Sequence, residues 1–305
     1  MRDFGRGAAG MGEAVPAPVR AFGTDAVRTE VFATDGGRVR WRRTFAAGSA
    51  VLRAVGAVPA SVHLPHAAVQ FVLPRWEGRT AEYPVRGTRL LLDSPEGRAT
   101  VFRDLGRGLR SLHALPCDPA LPRGPLGPAR LAEWLRSGHG PGLSGLYRGQ
   151  LRSALGKRRL SRLSQWCAAL SEVNEDSVVL HGSVGMGTTV LAADHRPQLL
   201  TGEGLCLGDR WFDLGWLLGE LMEVRLVLAG QGRPEVAADL GVSAWELVAG
   251  YGIPPDHRVG RVSALRMLSH GLDISSFAAH LVPQLRSHTR LLADVVDAEG
   301  TQVLP

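Results

Sequence analysis

Polar and apolar residues alternate singly in the first third of the chain and recur at helical intervals through most of the remainder. Val27–Ala33 and Arg38–Arg43 read as two strands joined by the turn Thr34-Asp35-Gly36-Gly37. Residues 1–24, rich in Gly, Ala and Pro over most of their length, are expected to be loose. Phe45–Val55 has helical spacing, and Val58–Leu64 and Ala68–Leu73 follow as strands. Ala99–Leu115 is an amphipathic helix stopped by Pro116, after which residues 116–128 form a Pro/Gly-rich linker. Further helices are expected at Pro128–Leu135 and Gly145–Leu155, and within Val236–Tyr251 and Val259–Val296. Arg148–Trp166, which includes Lys157-Arg158-Arg159, is a basic amphipathic segment whose charged face either is solvated or docks an acidic partner.

Between these portions, residues 176–216 hold the densest run of polar groups suited to chemistry. Ser177–Leu180 is an apolar strand running into His181-Gly182. Val190–Ala193 and Gln198–Leu200 are short strands about the turn Asp194-His195-Arg196-Pro197, and after Gly208-Asp209 the spacing turns helical from Trp211 to Trp216. Gly182–Thr189 approximates a phosphate loop, G-x-x-x-x-G-K-[ST]. Its lysine position is Thr188, however, and a hairpin rather than a helix follows, so no helix dipole faces the anion. Ser183 does not fit a G-x-S-x-G nucleophile, because no glycine stands two residues before it. His63 and His66 have a metal-like spacing, but Pro65 intervenes and no other ligands lie near, so they read as loop histidines and no metal site is predicted.

Composition narrows the classes. The 305 residues, 45% of them hydrophobic, suffice for a large core. The formal charge is +6, and since Lys157 is the sole lysine, arginine supplies nearly all the positive charge. Arginines spread along the chain suit a GC-rich bacterial genome better than a nucleic-acid surface, so nucleic acid is not the expected partner. Cys117, Cys167 and Cys206 are odd in number and far apart, which excludes a disulfide framework and suits a reducing cytoplasm. The stretch 1–22 has no uninterrupted apolar run, so no secretory signal is expected, and the longest apolar stretch, Leu214–Gly230, is broken by Glu220, Glu223 and Arg225, so no membrane span is expected.

The residues around His181-Gly182, Gly208-Asp209 through Asp213-Leu214, and the Leu112-His113 helix end together resemble the aminoglycoside/choline phosphotransferases. That family carries H-G-D-x-x-x-x-N, then D-[FW]-E, then G-D-x-x-x-D-L on a protein-kinase-like frame. The resemblance implies an α+β, bilobal fold with a small β-rich N-lobe over residues 25–77 and a larger helical C-lobe over 78–300. It makes His181, Gly182, Gly208, Asp209 and Asp213 structural, with Asp213 bracing the catalytic loop. Pro74-Arg75-Trp76-Glu77-Gly78-Arg79 looks like the hinge between lobes, where adenine would bond to the backbone, and Trp76 and Glu77 become cleft residues. His113 reads as a helix-end residue favourable to the C-terminal dipole.

The acids that the resemblance calls for are missing. The catalytic-loop Asp falls on Ser183, and the two magnesium ligands fall on Thr188 and Thr201. Phosphoryl transfer depends on positioning and on charge neutralisation by metal and lysine, and magnesium wants anionic oxygen. Glu203, the residual acid nearby, matches the accessory Glu of D-[FW]-E. Lys157 lies too far downstream to be the N-lobe lysine, leaving Arg40, Arg42 and Arg43 as candidates, and the helix glutamate that would pair with it falls on Gly48 or a neighbour, where no Glu stands. The expected function is therefore a pseudokinase: a binding, scaffold or activating subunit with no cofactor, not loading ATP and magnesium. Its expected partner is a companion biosynthetic enzyme or a peptide substrate, as members of the family serve bacterial pathways that tailor peptides. One alternative is metal-independent chemistry in the same cleft through Ser183, Glu203, His181 and the arginines. Another is a small-molecule phosphotransferase whose metal site is supplied by Asp194, Asp209 or Glu203.

Overall fold

The computed structural model describes residues 17–34, 39–47, 49, 51–52, 64, 68–93, 97–192, 196–277 and 285–301. Its strands in chain order are β1 (Arg20–Gly23), β2 (Val27–Ala33), β3 (Val39–Phe45), β4 (Gln70–Val72), β5 (Arg75–Glu77), β6 (Thr80–Val85), β7 (Arg89–Leu90), β8 (Val178–Leu180), β9 (Thr189–Leu191), β10 (Pro197–Leu200) and β11 (Cys206–Gly208). An antiparallel sheet ordered β1-β2-β3-β6-β5 makes the N-lobe. The expected hairpin is present, with Val31 opposite Trp41. A second sheet, β4-β10-β9-β7, fastens that lobe to the central stretch, and β8 pairs with β11.

The helices are α1 (Ala99–His113), α2 (Leu126–Ser137), α3 (Ser144–Ser171), α4 (Trp211–Gly230), α5 (Pro234–Tyr251), α6 (Arg258–Phe277) and α7 (Leu285–Asp297). The architecture is thus α+β, a β-rich N-terminal lobe on a helical C-terminal one. Val101, Phe102, Leu105, Leu109 and Leu112 recur on one face of α1 and are all buried, as an amphipathic helix requires. The helix α4 is apolar nearly all round and runs through the core, packed against α5 and α6. The helix α3 joins the Gly145–Leu155 and Arg148–Trp166 expectations but breaks at Gly156, whose φ of 67° and ψ of 173° are not helical. No helix among the described residues is long and apolar enough to cross a membrane.

Several expectations are corrected. Arg20–Gly23, inside the segment expected to be loose, is an edge strand because its backbone pairs with β2 in register with Arg28–Val31. The Pro74–Arg79 hexad is not the hinge. Arg75–Glu77 pairs with Thr80–Glu82 in a tight hairpin at Gly78, so the proposed boundary after Glu77 cuts through the N-lobe sheet. The overlooked strand is β6, in which Ala81, Tyr83 and Val85 are buried while Pro84 between them is exposed. Pro84 disguised that alternation. The chain leaves the lobe after Val85, so Arg86-Gly87-Thr88 is the linker. Cys206–Gly208 is a further strand that was not expected. Most of the expected Phe45–Val55 helix and Val58–Leu64 strand, and His63 and His66, lie outside the described residues.

The approach of α1 to α5 is close enough to require glycine on both sides. A Cβ on Gly250 would stand 2.0 Å from the Arg103 carbonyl oxygen, and one on Gly106 would stand 2.2 Å from that of Leu247. Gly250→Ala gains about 1 kcal/mol of helix propensity. It must still push the helices apart, and the expected net loss is about 1–3 kcal/mol, read as a lower urea midpoint at unchanged slope.

Candidate functional site: the interlobe cleft

The site is built outward from Asp213, in the first turn of α4 and fully buried. Its Oδ2 accepts the His181 N–H at 2.7 Å and its Oδ1 accepts the Gly182 N–H at 2.9 Å. His113 Nε2 donates to Oδ2 at 3.0 Å, and His113 Nδ1 takes the Tyr251 hydroxyl at 2.9 Å. His113 is therefore not a dipole-facing helix end but the link between α1, α4 and the loop. Burial pushes the Asp213 carboxyl up, yet the His113 hydrogen bond, the His113 and His181 charges and the Gly182 N–H together hold it below its ordinary value. Burial chiefly, with the Asp213 and Asp209 charges and against those of Arg210 and Arg110, pushes Tyr251 up to about 12.

Behind this brace the loop is tightly specified. Gly182 has φ +75°, and a Cβ there would lie 2.0 Å from the Gly204 carbonyl oxygen, so only glycine fits. His181 is fully buried, and that burial lowers its pKa despite the Asp213 charge. Its Nε2 donates to the Leu200 carbonyl at 2.9 Å, while its Nδ1 faces the Ser183 backbone N–H at 3.4 Å. Both ring nitrogens are thereby directed to backbone, and His181 is not a base for the Ser183 hydroxyl. Thr188 Oγ1 donates to the Gly185 carbonyl at 3.1 Å, and fully buried Thr201 donates to the Leu199 carbonyl at 2.8 Å. Asp209, just before α4, accepts the Trp211 N–H at 2.9 Å and pairs with Arg258 at 2.8 Å, away from the cleft. Asp194 lies outside the described residues.

Of the three candidate arginines, one reaches the cleft. Side chains alternate along β3, so Trp41 and Arg43 share one face and Arg40 and Arg42 the other. Arg40 and Arg42 pair with Glu82 at 3.5 and 2.8 Å and stack on Phe32. Arg43 pairs with Glu203 at 2.6 Å. The other Glu203 oxygen accepts the Tyr83 hydroxyl at 2.7 Å, and burial followed by the Glu203 charge pushes that phenol well above its usual value. Arg43 and Glu203, from separate segments, thus form one largely buried ion pair facing the cleft. Trp41 is buried among Val31, Val85, Leu90, Val190 and Leu200, with its Nε1 donating to the Gly87 carbonyl at 2.8 Å. The adjoining linker amide, Arg86 N–H, donates to Gln198 Oε1 at 2.6 Å. Trp76 packs on Phe45 at the sheet edge, and neither Trp76 nor Glu77 lines the cleft.

A cleft of about 880 Å³ remains between the lobes. Arg43, Glu203 and the Gly182–Thr188 loop border it on one side. Trp216 and Glu220 of α4, Arg266, His270, Asp273 and Phe277 of α6, and Arg130 of α2 border it on the other. Arg130 pairs with Asp273 at 2.7 Å. Glu220 accepts the Met186 N–H at 2.9 Å and faces Arg266 at 3.5 Å. One turn on, buried Glu223 meets His288 Nε2 at 2.8 Å and His270 Nδ1 at 3.2 Å. Burial pushes Glu223 up, but the close His270 imidazole, the His288 hydrogen bond and the charges of His270 and Arg266 outweigh it and bring its pKa to about 2. This helical wall was missed in the sequence, although Glu220 and Glu223 were visible there as acids interrupting an apolar helix. The donor set does not fit magnesium. Ser183, Thr188 and Thr201 offer neutral hydroxyls, and both Glu203 oxygens are taken by Arg43 and Tyr83. No cluster of three or more His, Cys, Asp or Glu suited to a metal occurs among the described residues.

Lobes, loop and brace together define a protein-kinase-like fold of the aminoglycoside-phosphotransferase type. The chain is similar to aminoglycoside phosphotransferase APH(4)-Ia, with 16% identity over 90% of this chain and 89% of that one and a TM-score of 0.53. A thermostable mutant of APH(4)-Ia in a ternary complex with ADP and hygromycin B gives 14%, 93% and 95%, with a TM-score of 0.54. Spectinomycin phosphotransferase APH(9)-Ia in complex with ADP and spectinomycin gives 11%, 95% and 92%, with a TM-score of 0.52. At these identities the likeness establishes the fold. No family model and no curated protein sequence matches the chain.

Two outcomes follow for the brace and the helical wall. Asp213→Ala strips a charged acceptor from three donors and should cost about 3 kcal/mol or more, with faster amide exchange at His181 and Gly182. Glu223, whose folded pKa is depressed from 4.5 to about 2, contributes stability that is full above pH 4.5 and lost as pH falls toward 2. The wild type should therefore lose more stability than Glu223→Gln between about pH 5 and pH 3 in urea titrations.

Proposed function

We propose that this chain is a pseudokinase, a phosphotransferase-fold protein that binds and presents rather than transfers phosphate. The observation that carries the reading is the donor set of the loop side of the cleft: Ser183, Thr188 and Thr201 offer neutral hydroxyls, and both Glu203 oxygens are taken by Arg43 and Tyr83, so no carboxylate oxygen there is open to a metal. The Trp41 indole supports it at the other end, since it takes the linker carbonyl that an adenine would need and Gln198 takes the neighbouring amide. A nucleotide entering here has to break a largely buried ion pair, whose separation leaves two desolvated charges. The proposed partner is a companion biosynthetic enzyme or its peptide substrate, held in the open helical side of the cleft. Bacterial origin and a cytoplasmic setting belong to the same reading.

The test is a thermal-shift titration with ATP and GTP, each with and without magnesium. A ligand present at 100 times its Kd adds about 2.7 kcal/mol to the folded state, so binding near 10 micromolar would be plain at about 1 mM nucleotide. The expected result is an unchanged midpoint in all four conditions. A magnesium-dependent rise would overturn the reading.

A further inference from the structure

Four helices converge on a chain of polar groups that the preceding reading does not use. Tyr147 of α3 places its hydroxyl 3.4 Å from His288 Nδ1, and His288 Nε2 meets Glu223 Oε1 at 2.8 Å. The second carboxylate oxygen, Oε2, faces His270 Nδ1 at 3.2 Å and, farther off, Arg266 at 3.8 Å. Tyr147 is fully buried, and burial pushes its phenol far above its usual value, so it remains a donor. Glu223 and His288 are buried or nearly so, with side chains 7% and 14% exposed, whereas that of His270 is 44% exposed and lines the cleft. The network opens to solvent at that one imidazole.

Donor and acceptor roles along the chain follow from the carboxylate. An ionised carboxylate only accepts, so Nε2 of His288 carries the proton of its bond to Glu223; Nδ1 of His270 stands 3.2 Å from Oε2 outside hydrogen-bond geometry, and it carries a proton because a lone pair there would face an anionic oxygen. His288 then accepts from Tyr147 at Nδ1. In neutral His270 the lone pair is left on Nε2, on the ring edge turned away from Glu223, and no described residue donates to it. The neighbouring charges of the cleft are matched in pairs: Arg43 with Glu203, Arg266 with Glu220, Arg130 with Asp273.

We propose that His270 is a proton-accepting group of the cleft, fixed in its Nδ1–H tautomer by Glu223 as a positioning residue, and that it receives the hydroxyl of an uncharged ligand. Trp216 and Phe277, which share this wall, supply an apolar surface for the body of such a ligand. The arrangement does not depend on whether nucleotide enters, because His270 stands on the helical side and the Arg43–Glu203 pair on the other.

The test has two limbs. In long-range proton–nitrogen spectra at about pH 8, where a free imidazole is neutral, His270 should be protonated at Nδ1, and Glu223→Gln should shift it toward the Nε2–H form. Ligand-observed NMR then compares phenol, which can donate, with anisole, which cannot. Phenol should bind about five-fold more tightly, the ratio expected for one hydrogen bond. The preference should vanish in His270→Phe, provided that variant retains the wild-type amide spectrum. The tautomer measurement needs no variant. A protonated Nε2 in the wild type, or equal or absent binding of phenol and anisole, overturns the proposal.

Discussion

A carboxylate with no access to water must be met by donors, and Asp213 is met by three. Two are consecutive backbone amides of the loop, and the third is a histidine 100 residues earlier in the chain. That geometry fixes where β8 ends, how Gly182 turns and how α1 and α4 sit relative to the loop. The His181 ring, aligned by its own backbone bond to Asp213, extends the same constraint to β10 through Leu200. The loop is thus defined by polar groups behind it.

The two ends of the cleft differ in character. At the N-lobe end, charge is neutralised inside the protein and apolar volume is filled by tryptophan. At the helical end, the charged side chains are paired but more open, and apolar rings stand among them. Buried ion pairs are weak contributors to stability, because desolvation offsets attraction. The Arg43–Glu203 pair is better understood as fixing the distance between β3 and the Gly202–Gly204 turn. Tyr83 strengthens that role by holding the second oxygen and so the plane of the carboxylate.

Short-range signals made much of this readable from the chain. The Asp213 brace rested on Gly208-Asp209 and Asp213-Leu214 at fixed spacing, and the hairpin of β2 and β3 rested on alternation about a Gly-Gly turn. The Ser183, Thr188 and Thr201 substitutions were likewise plain. What escaped was set by tertiary partners. His113 carries no sequence mark of a link to Asp213, since a histidine at a helix end satisfies the dipole argument equally well. Pro84 masked the alternation of β6, which moved the expected hinge by about ten residues into a hairpin. Tyr83 and Glu203 lie 120 residues apart in sequence, and only the sheet brings them together. Glu223 and its histidines were hidden for the same reason, each imidazole arriving from a different helix.

Trp41 belongs to one hydrophobic cluster with Val31 and Val85 of the N-lobe and Val190 and Leu200 of the central sheet. Its indole also anchors to the linker itself. Spreading the lobes would wet a large aromatic ring and strand its N–H. The two halves are consequently coupled through this ring, because the cluster around it draws on the β-rich lobe and on Val190 and Leu200 of the central sheet alike. What would be a hinge in a mobile clamp is crossed here by the Trp41 side chain.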